Sequence, residues 1–210
     1  MLVDRNGALY SALRATYRRL RVVRERHSRD PVFIHINKTA GTSVVRALRL
    51  HAEGHRTAIE KKQELGEACW RRKFSFAFVR NPWDRLVSQY HYRVAVDKSG
   101  LRSRPIEFCA WVQQVFEEGN PAYRDEPLMF VPQLDWICDE AGNVIVSFVG
   151  RFETLEQDLQ SVCRRLGRTA VLPHLNPSSH NAYHEYYDAD TAEIVRRHFA
   201  KDIAHFGYEF

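Results

Sequence analysis

Two apolar runs, VFIHI at residues 32–36 and FSFAFV at 74–79, each break off into a polar turn that opens directly into a helical pattern. The first is followed by TSVVRALRLH (42–51), the second by a helical stripe from Pro82 to about Val94. A chain that alternates short β-rich runs with longer helical ones builds an α/β domain with a central, mostly parallel sheet flanked by helices. VIVSFVG (144–150) supplies a third strand, and helical patterns recur near 105–118, 153–166 and 189–200. Residues 95–104 and 119–143, rich in Gly, Pro and charge, read as loops.

A chain of 210 residues, 44% of them hydrophobic, buries one good core and at most a small appendage. Charge marks where the appendage lies. Residues 1–30 hold eight arginines against Asp4, Glu25 and Asp30, while the rest of the chain is balanced at 23 basic and 23 acidic side chains. The expected division is a basic helical leader over 1–30 and one domain over 31–210. Within the leader Leu9, Leu13, Tyr17, Leu20 and Val23 recur at helical spacing, with Arg14, Arg18, Arg21 and Arg24 to one side. Such a helix packs on the domain with its basic face in solvent, or touches an anionic membrane surface peripherally. The body lacks a basic stripe interleaved with aromatics, so no nucleic-acid partner is expected. Four cysteines, 25 to 40 residues apart and without a C-x-x-C pair, suit reduced thiols. No run of 18 apolar residues and no signal-peptide core is present.

The polar turns carry the chemistry. In KTAGTS (38–43) Gly41 permits a tight backbone approach, the amides from Thr39 to Ser43 open the next helix, and Lys38 adds a full charge. The nucleotide loop G-x-x-x-x-G-K-[ST] is absent, because the lysine here precedes the glycine; the turn suits a phosphate that needs no metal. A plain turn capped by Thr42 or Ser43 would explain the hydroxyls and not Lys38. In FVRNPWDRLVSQYHYR (78–93) Asn81 is placed to cap, Pro82 to open the helix, and Trp83, Leu86, Val87, Tyr90 and Val94 to form its apolar stripe. Arg80 and Ser88 fall on one side, where a guanidinium fork and a hydroxyl grip a second phosphate. The competing reading is an ordinary capped helix with Arg80 and Arg85 in salt bridges. Two anion sites on neighbouring strand ends point to a ligand with two separated phosphates.

The pair FIHINKTAGTS and FAFVRNPWDRLVSQY resembles the two signature segments of sulfotransferases that use 3′-phosphoadenosine 5′-phosphosulfate (PAPS), especially the carbohydrate type, sulfotransferase family 2. VSFVGRFETLEQDL (146–159) and the stretch from Leu172 to Phe210 extend the resemblance over most of 31–210. It implies a P-loop-like three-layer fold. It also implies that Lys38, Thr39, Ala40, Gly41, Thr42 and Ser43 surround the phosphosulfate, and that Arg80 and Ser88 take the 3′-phosphate. Ser178, Ser179 and His180 of NPSSHN would add cofactor contacts, with His180 standing where lysine or arginine is frequent. Many relatives carry proline at the place of Asn37, a departure expected to be harmless. The resemblance makes PAPS a co-substrate, PAP the product, and a metal unnecessary.

Sulfuryl transfer asks the protein to align two partners and to stabilise charge on the leaving oxygen, for which Lys38 is the natural group. His55, in EGHRTA, matches the position at which related carbohydrate enzymes place a catalytic histidine, and is the expected base. Glu53 and Glu60 are weaker alternatives. His35, within a strand, reads as a satisfied core histidine. His51 and His55 do not have the H-E-x-x-H order of a zinc helix. Gln133 and Trp136, in FVPQLDWICDE, suit a sugar channel, or else packing and a turn; Glu153 reads as a capping or orienting group. Basic side chains in 91–104 suit an already anionic glycan. The expectation is an O-sulfotransferase acting on a carbohydrate or glycoconjugate, cytoplasmic and bacterial. A nucleotide kinase or a non-catalytic nucleotide-binding module are the competing functions.

Overall fold

The computed structural model describes residues 8–51, 54–172 and 181–210. Its centre is a parallel three-stranded sheet ordered β1 (Val32–Ile34), β2 (Ser75–Val79), β3 (Phe148–Arg151), with Val32 opposite Ser75 and Phe76 opposite Phe148. Around it lie α1 (Ala8–His27), α2 (Gly41–Ala47), α3 (Ala58–Leu65), α4 (Glu67–Arg72), α5 (Pro82–Ala95), α6 (Phe108–Phe116), α7 (Leu134–Ile137), α8 (Leu155–Leu166), α9 (Ala189–His198) and α10 (Ala200–Phe206).

β2 is buried along its whole length, and its side chains alternate between two apolar layers as strand geometry requires. Phe76 and Phe78 pack with Val44 of α2, with Leu48 just beyond its end, and with Leu159, Val162 and Cys163 of α8. Ala77 and Val79 join the larger layer, which holds Leu65 of α3, Trp83, Leu86 and Val87 of α5, Trp111 of α6 and Val195 of α9. Helices on both faces of a parallel sheet make the expected three-layer α/β fold.

Several boundaries differ for local reasons. β1 stops at Ile34 because the Ile36 amide turns back on the Ile34 carbonyl at 3.1 Å. The third strand begins only at Phe148, since the Ile145 amide is held by the Ile137 carbonyl at 2.9 Å and Val144 bridges Cys138. The 189–200 pattern ends at His198, and Phe199 at φ −103° and ψ 24° separates α9 from α10. α3 and α4 are not expected from the hydrophobic pattern, although Thr57 and Glu60 form a full capping box at the start of α3. The four cysteines are free, Cys109 being only half-buried.

α1 packs on the domain through α3, but its outward face is not purely basic. Three of its charged side chains reach α3: Arg26 donates to the Glu64 carbonyl at 2.7 Å, Glu25 meets Lys61 at 2.7 Å, and Arg21 lies 3.9 Å from Glu64, while Arg19 and Arg24 are exposed. Leu13, Leu20 and Val23 are instead 58%, 65% and 52% exposed. Complementary charge on α3 decides the orientation, leaving the aliphatic side chains outward. Among the described residues no helix is long and apolar enough to cross a membrane.

Candidate active site

The site forms where the chain leaves the sheet. Lys38 and Ala40 both have left-handed backbones, φ 63° and 62°, which L residues hold only where the surroundings enforce them. Thr39 supplies part of that enforcement: it is fully buried, and its hydroxyl donates to the Ile36 carbonyl at 2.9 Å. Turns of this kind gather main-chain N–H groups into a concavity for an anion. Ala40 occupies the cap position of α2 without a side-chain cap, so neither Thr42 nor Ser43 has the capping role that a plain turn would give it. The reason for Gly41 also differs from expectation. A Cβ there would run into the imidazole of His35, so the glycine makes room for a side chain.

Strand ends and helix starts enclose a cavity of about 1160 Å³. Lys38, Ala40, Gly41, Thr42, Ser43, His55, Arg80 and Ser88, all singled out from the sequence, line it. Thr39 supports it from beneath. β2 delivers Arg80 and α5 delivers Ser88, and Asn81 caps α5 by accepting from the amides of Trp83 and Asp84. The Arg80 guanidinium is shaped on three sides: Nε donates to Asp84 at 2.8 Å, one terminal nitrogen donates to the Lys38 carbonyl at 3.1 Å, and the group lies 3.9 Å over the Phe152 ring. The two expected anion sites are thus directly coupled. Burial, reinforced by the charge of Arg80, lowers the Lys38 ammonium to a pKa of about 8. Its Nζ sits 4.5 Å above the ring of Tyr92, which is 50% exposed.

Tyr92 escaped the sequence reading, although it lies one turn after Ser88 and on the same face of α5. Asn37 also gains importance. It is buried, donates to Gln89 at 3.1 Å and to the Met129 carbonyl at 3.2 Å, and accepts from Arg85 at 3.4 Å. Asn37 thereby ties the lysine loop to α5.

His35 is a half-buried wall of the cavity, and this corrects its assignment to the core. Burial, and the neighbouring His55, lower its pKa to about 4. His55 stands 4.7 Å from it, ring to ring, and 5.9 Å edge-on from Trp136. His55 Nδ1 lies 2.7 Å from the His35 carbonyl. A carbonyl can only accept, so Nδ1 carries the proton and Nε2 of the neutral ring holds the lone pair.

Not every expectation survives the geometry. Gln133 and Trp136 are both 0% exposed and are not among the residues lining the cavity, so neither is open to a sugar there. Gln133 is consumed in holding Arg80: its side chain accepts from the Arg80 amide at 2.9 Å and donates to the Arg80 carbonyl at 2.8 Å. Trp136 backs His55. Glu60 accepts from the Thr57 amide at 2.8 Å, and this cap engages the carboxylate that was an alternative base. Glu153 orients, accepting from the Asn81 amide at 2.6 Å. In the 91–104 segment Arg93 is buried against Asp125 at 2.7 Å and Lys98 pairs with Asp125 at 3.1 Å. Glu53, Ser178, Ser179 and His180 lie outside the described residues. Among the described residues no group of three His, Cys, Asp or Glu side chains is placed to hold a metal ion.

A cavity at the carboxyl ends of a parallel sheet, with a left-handed lysine loop after one strand and an arginine after the next, is where α/β proteins bind their ligands. The chain belongs to the sulfotransferase family, whose model matches residues 22–209. It is therefore a sulfotransferase, using a sulfuryl donor and an acceptor. A protein of Archaeoglobus fulgidus described as uncharacterized is 29% identical over 107 residues, which cover 50% of this chain and 78% of that protein. No solved structure matches the chain.

Proposed function

We propose that the protein is an O-sulfotransferase that takes PAPS as donor and a hydroxyl of a carbohydrate or glycoconjugate as acceptor. The observation that carries this reading is the convergence of Lys38, Arg80, Ser88 and a histidine with a free Nε2 on one cavity. The residues fit the donor chemically: two cations and a hydroxyl-rich loop face a space large enough for a nucleotide. When bound, PAPS supplies the sulfuryl group, and PAP is the product.

The roles of the side chains follow. Thr42, Ser43 and the N–H groups of the loop hold the 5′-phosphosulfate end, and Arg80 with Ser88 holds the 3′-phosphate. Lys38 sets its charge against the bridging oxygen, where negative charge develops. Lifting the ammonium from Tyr92 costs one cation–π contact, which a phosphate replaces with a stronger charge pair. His55 Nε2 takes the acceptor proton, and the His35 carbonyl keeps the ring in the required tautomer. Because His35 has a pKa of about 4, it stays uncharged at neutral pH and does not oppose the charge that His55 acquires.

The test is magnesium-free PAP binding together with transfer of labelled sulfate from PAPS to a glycan panel. Lys38→Ala is expected to lose transfer and to weaken PAP binding at least tenfold; His55→Ala is expected to lose transfer and to spare binding. PAP affinity of the wild type falls as pH rises through about 8, where Lys38 discharges, and this limb is absent in Lys38→Ala. Full turnover by His55→Ala would sink the assigned base, and absence of PAP binding would sink the donor.

A further inference from the structure

Outside the cavity, the least explained feature of the molecule is the outward face of α1. Leu13, Leu20 and Val23 are separated by seven and three residues, so they stand on one face of the helix, and each is more than half exposed. Arg19 and Arg24, both exposed, flank Leu20 and Val23. The helix is held lengthwise by the other side, through Arg26 on Glu64 and Glu25 on Lys61. This is the reverse of an ordinary surface helix, whose apolar stripe faces the core. Docking therefore leaves three aliphatic side chains bracketed by arginines in water.

A second copy of the chain is a poor occupant. Pairing two such helices along this stripe sets Arg19 and Arg24 beside their own counterparts, and the nearby acid, Glu25, is already bonded to Lys61 at 2.7 Å. The charges ask for an anionic surface. All of the chain's basic excess lies in residues 1–30, while the remainder is neutral in sum. The family match begins at residue 22, so Leu13, Arg19 and Leu20 precede the segment that this chain shares with the sulfotransferase family. We infer that α1 is an interfacial helix that docks the protein on an anionic lipid bilayer, with Leu13, Leu20 and Val23 in the acyl boundary and Arg19 and Arg24 at the headgroups. The helix lies on such a surface and does not span it.

The experiment uses the full chain with vesicles of phosphatidylcholine alone and of phosphatidylcholine mixed with phosphatidylglycerol. Cosedimentation is expected with the mixed vesicles, weakened by salt, and not with the neutral ones. Leu20→Ser with Val23→Ser, and separately Arg19→Gln with Arg24→Gln, should each lower partitioning about tenfold or more. Far-UV circular dichroism and the melting temperature of both variants should match the wild type, because the altered side chains are exposed. The inference is overturned if the wild type stays in the supernatant with both vesicle types, or if the serine variant binds as tightly as wild type. It also fails if sedimentation finds a dimer that the serine substitutions dissociate, which would assign the stripe to a second copy. Sulfate transfer to a soluble acceptor is measured in parallel; its absence would count against the function proposed above and leave the membrane result standing.

Discussion

At Gly41 a single hydrogen atom in place of a methyl lets the His35 imidazole reach the anion loop. That contact links two things the cavity needs: a wall beside the loop, and a carbonyl at residue 35 that orients His55. Gly41→Ala is expected to destabilise the protein by about 1–3 kcal/mol, the usual range for overpacking. Adding His35→Ala should recover at least about 1 kcal/mol, because the two substitutions meet in one space. Urea midpoints of the four variants measure the coupling, and additive losses would show that His35 is not the obstacle. Lys38, Gly41 and Arg80 were legible in the sequence because their signals are local: a charge, a glycine and hydroxyls, or an arginine before a cap, in one turn of chain. Tyr92 beneath Lys38 was not, since its ring meets the ammonium only once α5 is packed beside the loop.

Among the elements, α5 is the one that fixes the relation between the two proposed anion sites. Its start is set by Asn81, whose side chain accepts from the amides of Trp83 and Asp84 and donates to the Glu209 carbonyl at 2.8 Å. The cap thereby ties the helix to the end of the described chain, while Asp84 in its first turn holds Arg80 at 2.8 Å. Asn81→Ala should cost about 1–2 kcal/mol, at the upper side for a lost cap because the tether goes with it. A denaturant titration reads the loss, and PAP binding should weaken as Arg80 is released. Unchanged stability would mean that Pro82 and the packing of Trp83 alone define the helix start. The cap and the proline were apparent from the residue order. The capping box of α3 was equally local, and its T-x-x-E spacing was available as a signal.

For the molecule as a whole, one buried acid connects the far end of the domain to the site. Asp202 of α10 is fully buried and accepts from the Gln133 amide at 2.8 Å, from the Gln133 side chain at 3.1 Å and from the Leu134 amide at 2.9 Å. Gln133 in turn holds both main-chain groups of Arg80. Asp202→Asn sets an NH2 group against donors that need an acceptor, and should cost roughly 3 kcal/mol. The expected signature is a lower melting temperature accompanied by weaker PAP binding; a stability loss with unaltered affinity would separate the network from the site. The three strands, the parallel sheet and the polar turns at its first two strand ends followed from the sequence alone, because hydrophobic period, caps and turn residues act over a few neighbouring positions. Only the tertiary structure decided that Gln133 and Trp136 serve the core, that His35 and His55 share a wall, and that α1 turns its aliphatic face outward. Those outcomes depend on which surfaces meet across long stretches of chain, where complementary charge and available volume override what each segment prefers by itself.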